Sequence, residues 1–135
     1  MLIFYEQDHL RNRQETLLRD VEGQILYRGI YDFSYKYRTR VFDPQGREAG
    51  YVELDITSVP TQVDLQGPDG NRIASLIRKE GLYLEPEHLT VEKDHDGFFI
   101  SGLMKAENGK MEVPDEDPLK YVLLLFAMIE IERKK

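Results

Sequence analysis

One apolar segment near the end of the sequence limits what this chain can fold into more than any other feature. Residues 121–129 read YVLLLFAMI and carry no charge, between Lys120 and Glu130. A helix that spans a bilayer needs about 20 apolar residues, so this segment is too short to cross one. Its apolar side chains surround the helix on every side, and such a helix must be enclosed by protein. The segment therefore predicts a buried helix with a sheet wrapped around it.

The flanking residues indicate where this helix begins and ends. Asp117 is a suitable N-cap, and Pro118 suits the first helical position. The acidic residues 115–117 and the basic residues 133–135 lie at the two ends that the helix dipole favours for their charges. We therefore predict a central helix over residues 118–133.

Glycine turns divide the rest of the sequence into short segments. In four turns an acidic or small residue is followed three positions later by Gly, at residues 20–23, 43–46, 67–70 and 94–97. Such a Gly commonly adopts a positive φ. An Asn-Gly pair at residues 108–109 is typical of two-residue hairpins. With weaker breaks between these turns, the chain turns about every 12 residues, which predicts a sandwich or barrel of short strands.

Polar and apolar residues alternate within these segments. In residues 34–41, Lys36, Arg38 and Arg40 fall on one face of a predicted strand and the aromatic, Thr and Val residues on the other. Further candidate strands lie at residues 47–54, 62–65, 72–78, 88–91 and 98–103, and the total is roughly nine to twelve. A diffuse repeat of about 24 residues also occurs in solenoids and propellers, but there is no blade signature. A closed antiparallel barrel of hairpins is the more economical interpretation.

Four segments together resemble a known family. They are DVEGQILYRG (20–29), RVFDPQG (40–46), GPDGNRIA (67–74) and the closing helix at 117–131. In this order they make the sequence similar, over roughly residues 1–133, to the LURP-one-related proteins and their small bacterial relatives, within the superfamily of tubby C-terminal domains and phospholipid scramblases. The resemblance implies a mainly β, tubby C-terminal-like fold, in which a closed antiparallel barrel of about twelve strands surrounds the buried C-terminal helix.

The family resemblance also implies a class of function. Tubby-type domains bind phosphoinositides through exposed basic residues, and scramblases are membrane proteins to which a calcium site and a membrane-inserting helix are ascribed. The resemblance therefore implies a non-enzymatic binding module for a phospholipid or phosphoinositide headgroup, or for a membrane-associated partner. This chain has no Cys cluster and no long Pro-rich N-terminal region, which argues against scramblase-like anchoring. The alternative is a protein-interaction or structural scaffold with no small ligand.

Composition narrows the possible partners. A length of 135 residues favours one domain over residues 1–135. The chain has 18 basic and 25 acidic residues, so its net charge of −7 argues against nucleic acid as a partner. It has no Cys, which excludes disulfides and thiolate metal sites. With neither a signal peptide nor a spanning segment, we expect a cytoplasmic protein, peripheral at the membrane when it binds lipid.

Lys36, Arg38 and Arg40 form the most concentrated positive charge in this acidic sequence. Three cations at alternate positions share one strand face, where each can donate a charge-assisted hydrogen bond to a phosphorylated headgroup. They are the candidate ligand-binding residues. The alternative, which is the commoner one for such a strand, is a solvated outer face that keeps the protein soluble and protects an edge.

No metal site is predicted. Glu92, Asp94 and Asp96 take positions one, three and five of a segment with Gly97 at six, as at the start of a calcium loop. Position twelve is Leu103 where a bidentate Glu belongs, so a hairpin turn is the favoured interpretation.

The sequence predicts no catalytic residue and no cofactor. His9, His88 and His95 form no metal-binding pattern, and no nucleophile or phosphate-binding motif occurs. His88 falls in a predicted strand. An enzyme built from scattered carboxylates and histidines is therefore the least favoured class. The aromatic residues of the second hairpin are expected to pack against the central helix; they are Tyr27, Tyr31, Phe33, Tyr35, Tyr37 and Phe42.

Overall fold

The computed structural model of this protein describes residues 1–6, 15–32 and 38–133. Over these ranges the chain forms twelve strands followed by one helix. The strands are β1 (Leu2–Phe4), β2 (Thr16–Arg19), β3 (Ile25–Tyr31), β4 (Arg38–Phe42), β5 (Glu48–Asp55), β6 (Thr61–Gln66), β7 (Arg72–Arg78), β8 (Leu82–Glu85), β9 (Leu89–Lys93), β10 (Gly97–Ile100), β11 (Met104–Glu107) and β12 (Lys110–Glu112), and helix α1 is Pro118–Arg133.

The twelve strands form one closed antiparallel barrel. Each strand pairs with its neighbours in sequence, and β1 pairs with β12, where Ile3 lies opposite Met111. In the described residues β1 pairs with β2 through the single position where Phe4 faces Arg19. The predicted fold class, a mainly β closed barrel of about twelve strands with a C-terminal helix, is confirmed.

Helix α1 is buried on all sides. Three consecutive residues, Val122, Leu123 and Leu124, point in directions about 100° apart, and each is 0% exposed. The helix packs against β4, β5, β6 and β7. A helix surrounded by sheet has no face toward water, which is why its sequence shows no amphipathic stripe. Burial extends beyond the uncharged run, because Glu130 is also 0% exposed and accepts a 3.5 Å hydrogen bond from Thr39 Oγ1.

The predicted turn chemistry is found at two equivalent hairpins. Gly23 and Gly46 both have φ of 84°. In each turn the Asp three residues earlier, Asp20 or Asp43, accepts hydrogen bonds through Oδ1 from the backbone N–H groups two and four residues later, at 2.9–3.0 Å. The side chain thus satisfies the N–H groups that the turn leaves out of the ladder.

Two other turns use glycine for different reasons. Asn108 and Gly109 have φ of 52° and 80°, the pair of positive values that a two-residue turn of type I′ requires. Gly97 does not have a positive φ. A Cβ there would lie 2.8 Å from the backbone carbon of Ala106, so this glycine is required by close strand contact rather than by turn conformation.

Three local predictions were wrong. His88 lies in the turn between β8 and β9 with φ of 58°, not in a strand. Strand β10 ends at Ile100, because residues 101–103 turn, with Gly102 at φ of 73°. Phe42 follows Val41, which faces the core, and therefore points outward, whereas Tyr27 packs against the core as expected. Phe33, Tyr35 and Tyr37 lie outside the described residues.

The hairpin loops alternate between the two ends of the barrel. Lys120, near the start of α1, contacts Glu87 in the β8–β9 loop, and Glu132, near the end of α1, contacts Lys93 at the end of β9. We call the end where α1 begins the entry end and the opposite end the exit end. The β5–β6 and β7–β8 loops lie at the exit end. Within the described ranges no helix has the length and apolarity needed to cross a membrane.

Candidate functional site

Arg38 and Arg40 lie side by side on the outer face of β4. Thr39 and Val41 point into the barrel, where they are 6% and 0% exposed, so the alternation of the strand directs both arginines outward. The structure thus places two of the three predicted site residues together. Lys36, the third, lies outside the described residues.

Arg38 is held by two residues of the neighbouring strand β5. Its Nη2 donates to Glu53 Oε2 at 3.0 Å, and its guanidinium carbon lies 4.6 Å from the centre of the Tyr51 ring. Glu53 is directly opposite Arg38 in the β4–β5 register. A carboxylate and an aromatic face together fix the plane of the guanidinium group.

Arg40 makes a two-pronged ion pair with Glu48. Its Nε and Nη2 donate to the two carboxylate oxygens at 3.1 and 3.3 Å, and the guanidinium carbon lies 5.0 Å from the centre of the Phe42 ring. The hydrogen bond to Glu48 raises the pKa of Arg40 above its already high ordinary value. The outward-facing Phe42 therefore packs against the Arg40 guanidinium group instead of against the core.

The two glutamates are the site residues that the sequence analysis missed. Glu53 comes opposite Arg38 because β5 contains one extra residue at Ala49, which shifts the register between Val41 and Phe42. Glu48 lies opposite Phe42, on the hairpin side of this shift. The predicted turn at residues 43–46 brings β4 and β5 together. The partner of Arg38 still depends on the one-residue bulge.

Both arginines on the outer face of β4 belong to ion pairs. The charge of Arg38 is matched by Glu53 and that of Arg40 by Glu48, and all four side chains are between 21% and 41% exposed. In the described part of the chain, the hydrogen bonds to Glu48 use one edge of the Arg40 guanidinium, which leaves its other N–H groups for a further acceptor. A phosphate that binds here must compete with the carboxylates.

Next to these ion pairs, the outer face carries a further carboxylate on β6. Asp64 lies opposite Glu53 on β6, and its Oδ1 accepts hydrogen bonds from Gln62 Nε2 at 2.7 Å and from Ser75 Oγ at 2.9 Å. Arg72 lies 3.4 Å from the same oxygen. Asp64 therefore has three partners of its own, one of them the cationic Arg72 of β7.

A histidine and a carboxylate contact each other beyond β7. His88 Nδ1 lies 2.6 Å from Glu85 Oε1, and the His88 ring stacks on Tyr83 with ring centres 4.6 Å apart. Ser75 is opposite Glu85 in the strand register and donates to Asp64. The Ser75 hydroxyl is therefore directed at Asp64 rather than at the His88–Glu85 pair.

The proposed start of a calcium loop forms a hairpin turn. Asp94 Oδ1 accepts hydrogen bonds at 2.9 Å from the backbone N–H groups of Asp96 and Gly97. Among the residues that the structure describes, no group of three or more acidic or histidine side chains is arranged to hold a metal ion.

An open cleft of about 450 Å³ lies at the entry end, between the β10–β11 turn and residues 112–114. Groups with shifted pKa values lie elsewhere in the described part of the chain. Burial raises the pKa of Tyr5 to about 12, partly offset by a backbone hydrogen bond with Gly109. The ion pair with Arg28 lowers the pKa of Glu15. These shifts arise from packing and pairing rather than from groups that converge in a cleft.

Comparison with solved structures places this barrel and helix in a known architecture. The chain is similar in fold to the protein AT5G01750 from Arabidopsis thaliana, whose crystal structure superimposes with a TM-score of 0.66. The match covers 98% of this chain and 91% of the plant protein, at 13% sequence identity. No protein-family model and no curated protein matches the sequence. A likeness at this identity shows the fold, which is a twelve-stranded barrel around a C-terminal helix.

Proposed function

We propose that this protein is a non-enzymatic binding module that recognises an anionic phospholipid headgroup at the outer face of β4. The observation that carries the proposal is the adjacent position of Arg38 and Arg40, each of which has its plane fixed by an aromatic ring. Lys36 completes the proposed site. Fixed guanidinium groups lose little freedom when they bind a phosphate, so little of the interaction energy is spent on ordering them.

The family resemblance supports the same proposal. The barrel with a buried C-terminal helix, and the likeness to the plant protein, agree with a small LURP-one-related, tubby C-terminal-like member. Tubby-type domains bind phosphoinositides through exposed basic residues, and β4 carries two such residues in the described part of this chain. We propose a cytoplasmic protein that attaches peripherally to the membrane surface through this contact.

Competition from the two glutamates should make the proposed affinity for anionic lipid modest. Glu48 and Glu53 compete with a phosphate for the guanidinium groups, and each lipid-facing cation contributes about 1 kcal/mol at an anionic surface. Binding should therefore weaken steeply as salt is raised. Loss of one cation should weaken binding by about fivefold, and loss of one competing carboxylate should strengthen it.

The test is sedimentation with vesicles of phosphatidylcholine that contain or lack phosphatidylserine or a phosphoinositide. Arg40→Gln should lower the bound fraction and Glu48→Gln should raise it, whereas Lys105→Gln, a loss of charge on the distant strand β11, should change it little. Equal binding by Arg40→Gln and the unchanged protein would place the contact elsewhere. Failure to bind any vesicle would favour the alternative, a protein-interaction scaffold.

A further inference from the structure

The β5–β6 hairpin presents two aliphatic side chains at the exit end of the barrel. Val59 is 95% exposed and Ile56 is 60% exposed, although both belong to residue types that are usually buried. We call these two residues the apolar tip. Val21, 69% exposed, occupies a turn at the entry end and is not part of it.

Several polar groups of this hairpin hydrogen-bond within the hairpin. Asp55 Oδ1 accepts hydrogen bonds from the Thr57 backbone N–H at 3.0 Å and from Thr57 Oγ1 at 2.8 Å. Ser58 Oγ donates to the Pro60 carbonyl at 2.8 Å. A loop that satisfies its polar groups internally loses less when it leaves bulk water for a less polar medium.

The apolar tip lies beside the proposed headgroup site. Strand β5 continues for two residues past Glu53, the partner of Arg38, so it ends about 7 Å beyond Arg38 along the strand, and Ile56 of the tip follows directly. On the other side, Thr61 of β6 lies opposite Arg78, which is followed by the exposed Lys79. Cationic residues therefore stand on both flanks of the tip.

We propose that the apolar tip enters the headgroup layer of a phospholipid bilayer while β4 contacts the headgroups, an inference that rests on the proposed function. The tip is convex and consists of two side chains. A stable protein interface needs roughly 800 Å² on each partner, far more than two aliphatic side chains supply. A bilayer is deformable and accepts a small apolar projection, with adjacent cations at the level of the phosphates.

The protein contains no Trp, so a single Trp can report on the tip. Val59→Trp should show a blue-shifted emission with vesicles of phosphatidylcholine and phosphatidylserine, and quenching by brominated acyl chains. Val21→Trp, at an exposed valine of the opposite end, is the matched control and should show neither effect. In parallel, Val59→Ser should lower the bound fraction by about five- to tenfold, and Val21→Ser should leave it unchanged.

Sedimentation of the same samples separates the two proposals. If the protein sediments with anionic vesicles but Val59→Trp shows neither shift nor quenching, the inference about the tip is overturned and the headgroup proposal stands. If nothing sediments with any vesicle, both proposals are overturned. A shift confined to Val59→Trp, with reduced binding by Val59→Ser, supports the tip.

Discussion

Gly29 of β3 lies directly under the ring of Phe126 in helix α1. A Cβ at position 29 would be 2.6 Å from Cε1 and 2.9 Å from Cε2 of that ring. Phe126 is 4% exposed, so its ring has no open side into which it can move. The lack of a side chain at one position of the wall thus creates the space for the Phe126 ring of the central helix.

Gly29→Ala is expected to destabilise the protein because the added methyl overlaps the Phe126 ring. Overpacking of a closed core costs about 1–3 kcal/mol, which urea unfolding followed by circular dichroism will measure. Combining Gly29→Ala with Phe126→Leu should cost less than the sum of the two single changes. Strict additivity would mean that the two positions do not share this space.

Leu124→Asp is expected to prevent folding. Leu124 is 0% exposed at the centre of α1, and an ionised carboxylate there would have no partner, at a cost of about 4 kcal/mol or more. Leu124→Met keeps the volume and should cost less than about 1.5 kcal/mol. Thermal unfolding of both variants tests these expectations. A cooperative transition for Leu124→Asp would contradict a helix enclosed on all sides.

Lys120 and Glu87 should make stability depend on acid pH. Their side chains meet at 2.7 Å, and the hydrogen bond from Lys120 lowers the pKa of Glu87 below its ordinary value of 4.5. The resulting stabilisation is complete above pH 4.5 and is lost as the pH falls through the lowered pKa. Lys120→Met should return the pKa of Glu87 toward 4.5 in an NMR titration, and an unchanged titration would exclude the pairing.

Tyr5 should make stability depend on alkaline pH with the opposite sign. Burial raises its pKa from 10.0 to about 12, so the folded protein holds a proton that the unfolded chain has already released. The contribution of Tyr5 is complete below pH 10.0 and is lost as the pH rises through about 12. Unfolding by urea at a series of alkaline pH values should show a shallower decline for Tyr5→Phe. An equal slope in both proteins would rule out this role.

Local patterns determined much of the secondary structure. The uncharged segment and its flanks predict α1 at residues 118–133, and the Asp and Gly spacing predicts the hairpin turns. Both rest on interactions within a few residues of one another. Gly97 is an exception. This glycine is needed because β11 passes close to it, and that contact is not part of the turn motif.

The candidate site was only half predictable. Alternation along one strand is a local property, so the sequence alone placed Arg38 and Arg40 on one face. Without the extra residue at Ala49, Arg38 would oppose Val52 rather than Glu53. The ion pair of Arg38 with Glu53 therefore depends on the register of two strands.

The sequence by itself determined the central helix, five of the hairpin turns and the outward direction of the two arginines. Tertiary structure alone decided which carboxylates neutralise those arginines, that Glu130 is buried, and that Val59 projects at the exit end of the barrel. The physical reason is the sequence separation of the residues that interact. Helix periodicity, turn conformation and strand alternation are encoded by neighbours in sequence, whereas barrel closure sets the pairing and burial of residues that are far apart in the chain.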